Sequence, residues 1–150
     1  MTLRSPEIVR LDLPARYVYL HLVSESLADM LHLAEGVADL ETLIYKVQLA
    51  THEVCTNIIH HAYGSFDRGR IVIEMILDVE KRLLQIDLYD TGASFDLASV
   101  PIPDLDQVRV HGYGLFLIRQ LMDTVTYTAA PDRNHWRLTK SFCARRCQTV

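Results

Sequence analysis

The sequence predicts an α+β fold: a two-layer α/β sandwich whose mixed, mostly antiparallel sheet is covered on one face by helices. Three observations carry this. The elements run strand, helix, helix, strand, strand, long loop, helix, strand, strand, which lacks the βαβ alternation of a doubly wound parallel sheet. The second and third strands, and the fourth and fifth, are separated by turns short enough only for hairpins. The chain has 150 residues, the size of one domain, here residues 1–150, able to bury an ordinary core.

Residues 7–13 alternate apolar and polar and stop at Pro14, the pattern of a half-buried strand. From Ala15 to about Leu33 apolar residues recur at helical spacing without Gly or Pro, and Gly36 is the expected stop. Tyr17, Tyr19, Leu20 and Leu27 are expected in the core. Asp39 is positioned to cap a second helix from Leu40 to about Tyr63, with the stripe Leu43, Val47, Ala50, Val54 and Ile58. Ile71, Ile73, Met75 and Leu77 alternate in one strand and Leu84, Ile86 and Leu88 in the next, joined by a turn at Asp78–Arg82. A segment from Ala93 to His111 with Pro101 and Pro103 follows, too long for an ordinary connection and expected to be a lid. A short helix from Gly112 to Met122 precedes strands at about 124–129 and 135–142, which flank a Pro131–Asn134 turn. The tail from Ala144 is expected to fray.

Composition excludes several functions. Apolar residues make up 49% and charged residues 23% of the chain, a globular balance. The six glycines fit no GxxxxGK[ST] pattern, so there is no P-loop. Fifteen basic against 19 acidic residues give a net charge of −4, which lacks the basic footprint of a nucleic-acid binder. No apolar run is long enough to cross a membrane, and the start lacks a signal peptide's apolar region. Three cysteines, an odd number, fit a reducing cytoplasm better than a disulfide framework. The adjacent His60 and His61 point about 100° apart on a helix, and Cys143-x3-Cys147 lacks the CxxC pattern of a zinc site; no metal cluster is expected from them.

Three clusters could carry chemistry. On the second helix Glu53, Asn57 and His61 are spaced i, i+4, i+8 and fan over about 80° along one edge of the apolar stripe. A carboxylate and an amide oxygen there suit a base and a hard-metal ligand; alone they would equally describe a solvated flank. Asp90 ends an apolar strand just before Gly92, where a carboxylate can accept from an exocyclic amine; alone, Asp-x-Gly is an ordinary turn. His111-Gly112-Tyr113-Gly114-Leu115 opens a helix, where backbone N–H groups can meet an anion; alone, GxG reports loop geometry.

Together, and in this order, the clusters resemble the ATP-binding domain of the histidine-kinase, gyrase and heat-shock-chaperone superfamily. Within it the sequence is most similar to the small anti-sigma-factor serine kinases of bacterial partner-switching systems. Glu53-x-x-x-Asn57-x-x-x-His61-Ala62-Tyr63 resembles the N box, Asp90-Thr-Gly92-x-x-Phe95 the first glycine box, and Gly112-Tyr-Gly114-Leu115-x-Leu117-Ile118 the second. The likeness covers roughly 7–142. It implies a histidine-kinase-like ATPase fold, ATP and Mg²⁺ as cofactors, Asn57 as the metal ligand, and Glu53 as general base for an acceptor hydroxyl. It further implies that Asp90 binds the adenine amine with Gly92 allowing close approach, and that His61 braces the N box. Gly112 and Gly114 would hinge the lid and meet the phosphates, with Phe95, Tyr113 and Leu115 in the same boxes. Ser94 stands where the first glycine box usually has its second glycine. Arg109 is the nearest candidate for the basic lid residue that meets the γ-phosphate. Asp123 reads as a structural residue between helix and strand.

The implied function is an ATP- and Mg²⁺-dependent protein serine/threonine kinase that holds a sigma-like factor and phosphorylates its antagonist. A homodimer is an open expectation, through some exposed part of the first helix. The rival reading, motivated by Ser94 and by the unfixed register of Arg109, is a nucleotide-gated binding module without transfer. A detached histidine-kinase domain would need a phosphoacceptor histidine on a dimerising helix, of which the chain shows no clear sign.

Overall fold

A computed structural model of the chain describes residues 6–63, 68–94 and 113–145. Five strands, β1 (Glu7–Pro14), β2 (Arg70–Asp78), β3 (Leu83–Asp90), β4 (Thr124–Ala129) and β5 (Asn134–Ser141), form one sheet in the order β1-β2-β3-β5-β4. All four pairings are antiparallel, so the expected mixed sheet is antiparallel throughout. The register explains the first pairing. The chain leaves β1 at Pro14 and enters β2 at its partner Arg70, so everything between is an excursion from one end of the sheet. Pro14 sits on an edge strand, where its missing N–H is harmless.

That excursion is α1 (Leu20–His32) and α2 (Leu40–Asn57), and α3 (Gly114–Leu121) precedes β4. Leu20, Val23, Leu27, Met30 and Leu31 make the buried stripe of α1; Leu43, Val47, Ala50 and Val54 make that of α2. They close over the inner face of the sheet, where Ile71, Ile73, Met75, Leu77, Leu84, Ile86, Leu88, Trp136 and Leu138 are buried. These side chains follow the period of two that identified the strands. No described helix is long and apolar enough to cross a membrane.

Four local expectations change. Residues Tyr17–Tyr19 are a 3₁₀ turn, not the start of the α-helix. Its side chains point off the apolar stripe, leaving Tyr17 57% and Val18 62% exposed; of the expected core set Leu20 and Leu27 are buried. Asp39 does occupy the N-cap position of α2, but in the left-handed region (φ 50°) and without a side-chain capping bond. The second helix is α-helical only to Asn57 and continues as a π-helix over Ile58–Tyr63. Of the tail expected to fray from Ala144, the two described residues are held, Ala144 by a bridge to Val37 and Arg145 by its N–H donating to the Gly36 carbonyl at 2.6 Å; residues 146–150 lie outside the described residues.

Candidate functional site

The α2 helix carries Glu53 and Asn57 four residues apart, so both project from one edge of the stripe that Val47, Ala50 and Val54 bury. The π turn then alters the third member. The wider i→i+5 winding changes the angle at which His61 follows Asn57, and both side chains line one hollow. Burial, and secondarily the neighbouring His60 ring 5.0 Å away, lowers the His61 pKa and favours the neutral imidazole. Cys55 lies between Glu53 and Asn57 in sequence but points into the core, where burial pushes its thiol up to about 12. It is no nucleophile.

The π-helix is fastened at its end. Tyr63 Oη donates to the Arg70 carbonyl at 2.8 Å and accepts from the Thr91 N–H at 3.0 Å. One phenol thus ties the N-box segment to the start of β2 and to the residue after Asp90. Gly92 completes the junction. A Cβ there would stand 2.4 Å from the Ala62 carbonyl oxygen, and the next residue, Ala93, donates its N–H to that same oxygen at 2.8 Å. The close approach that demands glycine at 92 is therefore to the π-helix backbone.

Asp90, 3% exposed, closes β3 on the helix-facing side of the sheet. Its Oδ1 accepts from the Gly92 N–H at 3.0 Å and from Asn134 Nδ2 at 2.9 Å. Burial raises its pKa, and these two neutral donors only partly offset it. Asn134 is the directly opposed residue on β5 and is 1% exposed. Its amide also donates to the Gly92 carbonyl at 3.0 Å, and its Oδ1 accepts from Ser94 Oγ at 2.9 Å.

The expected site residues converge. Asn57, His61 and Asp90 line one hollow of about 10 Å³ with Ala93, Tyr127 and Trp136. That is room for about one water, so a purine requires these walls to part. Gly114 arrives from the other side: a Cβ there would meet Glu53 Oε2 at 3.1 Å and Asn57 Oδ1 at 3.6 Å. Glycine lets the start of α3 approach both side chains. The Leu117 N–H is bonded to the Tyr113 carbonyl; the N–H groups of Gly114, Leu115 and Phe116 come too early in the helix for an intrahelical acceptor, the arrangement that suits an anion. Tyr113 is the N-cap residue of α3 and is half-buried; the Leu115 side chain is 5% exposed and belongs to the core, leaving only its backbone to face a ligand. Phe95, Arg109, Gly112 and nearly all of the expected lid lie outside the described residues.

Two larger cavities exist: about 850 Å³ between Ala34–Thr42 and Cys143–Arg145, and about 420 Å³ beside Arg10, Arg70 and Arg133, which Asp90 and Thr91 also line. Size is a default guide to a site, but neither cavity gathers Glu53, Asn57 or the α3 start.

Among the described residues no group of three His, Cys, Asp or Glu side chains could hold a metal alone. The available donors are the Asn57 amide oxygen and the Glu53 carboxylate, both hard oxygens, beside the anion-ready helix start. That set fits a Mg²⁺ whose coordination is completed by phosphate oxygens and water. Asp123 has the structural role expected of it, accepting from the Ser141 N–H and hydroxyl at 2.7 and 2.8 Å.

Sequence reasoning missed Asn134, assigning it to a turn. The signal was present: Asn134 has the same parity as the buried Trp136 and Leu138, and a polar residue at a core-facing strand position requires a partner. Tyr63 was noted only as the end of a motif.

Comparisons with known proteins show the family and the fold. The family model described as a histidine kinase-like ATPase domain matches residues 13–140. The serine-protein kinase RsbW of Listeria monocytogenes serotype 4a (strain HCC23) is 33% identical over 129 residues, 78% of this chain and 76% of that protein. The protein of the same name from Bacillus velezensis is 28% identical over 130 residues, 81% of this chain and 78% of its own. Among solved structures, the RsbU and RsbW domains of Rv1364c from Mycobacterium tuberculosis superpose with a TM-score of 0.65 at 18% identity, over 93% of this chain and 34% of that longer one. This last likeness speaks to the fold. The chain belongs to the histidine kinase-like ATPase domain family, alongside the serine-protein kinases named RsbW.

Proposed function

We propose that the chain is an ATP-dependent protein serine/threonine kinase of the anti-sigma type, which holds a sigma-like factor and phosphorylates the antagonist that would release it. The observation that carries this reading is the meeting of Glu53, Asn57 and Gly114 at the start of α3, next to the hollow that Asp90 closes. Asp90 accepts the adenine amine. The N–H groups at the start of α3 meet the phosphates, helped by the helix dipole. Asn57 holds Mg²⁺, which when bound supplies neutralisation of the phosphate charge. Glu53, adjacent to Asn57 by one helical turn, takes the proton from the incoming seryl or threonyl hydroxyl. Phosphoryl transfer asks chiefly for such positioning and charge neutralisation. His61 braces Asn57 from the π turn. Gly92, Tyr113 and Leu115 shape the boxes through their backbone, and Phe95, Arg109 and Gly112 complete them.

The kinase is expected to add one phosphate to a candidate antagonist protein, read as that partner's intact mass after incubation with Mg-ATP. Glu53→Ala should abolish the gain while ATP binding persists. ATP binding by the wild type with no mass gain would instead favour the nucleotide-gated module.

A further inference from the structure

Ser94, the residue that replaces a glycine in the first glycine box, is engaged. Its hydroxyl donates to Asn134 Oδ1 at 2.9 Å. Two groups that can only accept, Asp90 Oδ1 (2.9 Å) and the Gly92 carbonyl (3.0 Å), fix the Asn134 nitrogen towards themselves and leave its oxygen to receive Ser94. Asp90 Oδ1 then carries two donors, Gly92 N–H and Asn134 Nδ2, and among the described residues no donor reaches Oδ2.

The consequence concerns which base the carboxylate can read. A carboxylate with both oxygens open forms a paired contact with two adjacent donors, such as the N1–H and exocyclic amine of guanine. A carboxylate with one oxygen saturated offers a single acceptor, which suits the lone exocyclic amine of adenine. We propose that Ser94 and Asn134 form a latch that holds Asp90 in the one-acceptor state and so sets the preference for adenine over guanine nucleotides. Both are positioning residues, acting through Asp90 and not on the phosphates. The raised pKa of Asp90 is consistent with a site built from neutral donors only. This inference rests on the proposed assignment of Asp90 as the base-reading group.

The test is calorimetric titration of the full chain with Mg-ATP and Mg-GTP, comparing wild type, Ser94→Ala, Ser94→Thr, Asn134→Ala and Asp90→Asn. Losing one neutral hydrogen bond changes affinity by about 2- to 10-fold. Ser94→Ala should weaken ATP by about threefold and narrow the ATP:GTP preference further by strengthening GTP, whereas Ser94→Thr, which keeps the hydroxyl, should retain the wild-type ratio. Asn134→Ala should show the larger effect of the same kind. Ser94 is exposed, so its variants fold even if the buried Asn134→Ala does not. Wild-type ATP:GTP preference in Ser94→Ala, with ATP binding still lost in Asp90→Asn, overturns the latch and leaves the pocket standing. A wild type that does not bind ATP, or an Asp90→Asn that binds it normally, overturns both.

Discussion

Asp87 and Asp90 stand three residues apart on β3, an odd spacing that sends them to opposite faces of the sheet. Both are buried, at 1% and 3% exposure. Burial pushes both carboxyls up, yet Asp87 ends below the ordinary range and Asp90 above it. The partners decide the difference. Asp87 receives Arg137 Nε at 2.7 Å, His135 Nε2 at 2.6 Å and Gln85 Nε2 at 2.8 Å, so both its oxygens are engaged and one partner is a full charge. Tyr89 stacks on His135, and Arg133 lies over Tyr89, covering that face. Asp90 has two neutral donors on one oxygen. A saturated carboxylate with a cation stabilises the sheet. Asp90, which among the described residues has neutral donors on one oxygen only and a hollow beside it, has the surroundings that the proposed base-reading role calls for.

The contrast can be broken by substitution, and the largest expected effect is on Asp87. Asp87→Ala should lower unfolding free energy by about 2–3 kcal/mol, measured by urea denaturation. This falls below the cost of orphaning a fully buried ion because Arg137 is 46% exposed and can turn to water. ATP affinity of the folded fraction should not change. Asp90→Asn should act oppositely on stability, raising it by up to about 1 kcal/mol, because it removes a poorly compensated buried charge.

Acid sharpens the same comparison. The folded pKa of Asp87 is depressed, so its stabilisation is fully present above the unfolded value of about 3.9 and is lost as pH falls through the folded value. The folded pKa of Asp90 is raised, so its ionised form costs stability at neutral pH, and that cost is relieved as pH falls through the folded value towards about 3.9. Denaturation series against pH should therefore show the Asp90→Asn gain vanishing by about pH 4 and the Asp87→Ala loss persisting below it. The smallest effect belongs to Gln85→Ala, which removes one of three partners: about 0.5–1 kcal/mol of stability, with nucleotide binding untouched.

Much of the fold was legible because the sheet is buried on one side. Ile71 to Leu77 and Leu84 to Leu88 alternate cleanly, so both strands and their hairpin could be read within a residue or two. What sequence could not reveal depends on contacts distant along the chain. The π winding after Asn57 ends at Tyr63, which is pinned to Arg70 and Thr91, and nothing within Ile58–Tyr63 announces it. Glu53, Asn57 and Asp90 stand out only in combination, through the resemblance of the three motifs to a known family; each motif alone reads as a solvated flank or an ordinary turn. Asn134 does not stand out, because its partner lies 44 residues away and its own surroundings read as a turn. Ser94 looked like a missing glycine until its hydroxyl was placed against Asn134.

The claim on which the account turns is that Asp90, not Asp87, reads the base. Titrating wild type and Asp90→Asn with Mg-ATP in a calorimeter tests it directly. Replacing the carboxylate by an amide removes a charged acceptor, so affinity should fall at least about tenfold, with the fold preserved and stability no lower than that of the wild type. An Asp90→Asn protein that folds and binds ATP as tightly as the wild type would contradict the account.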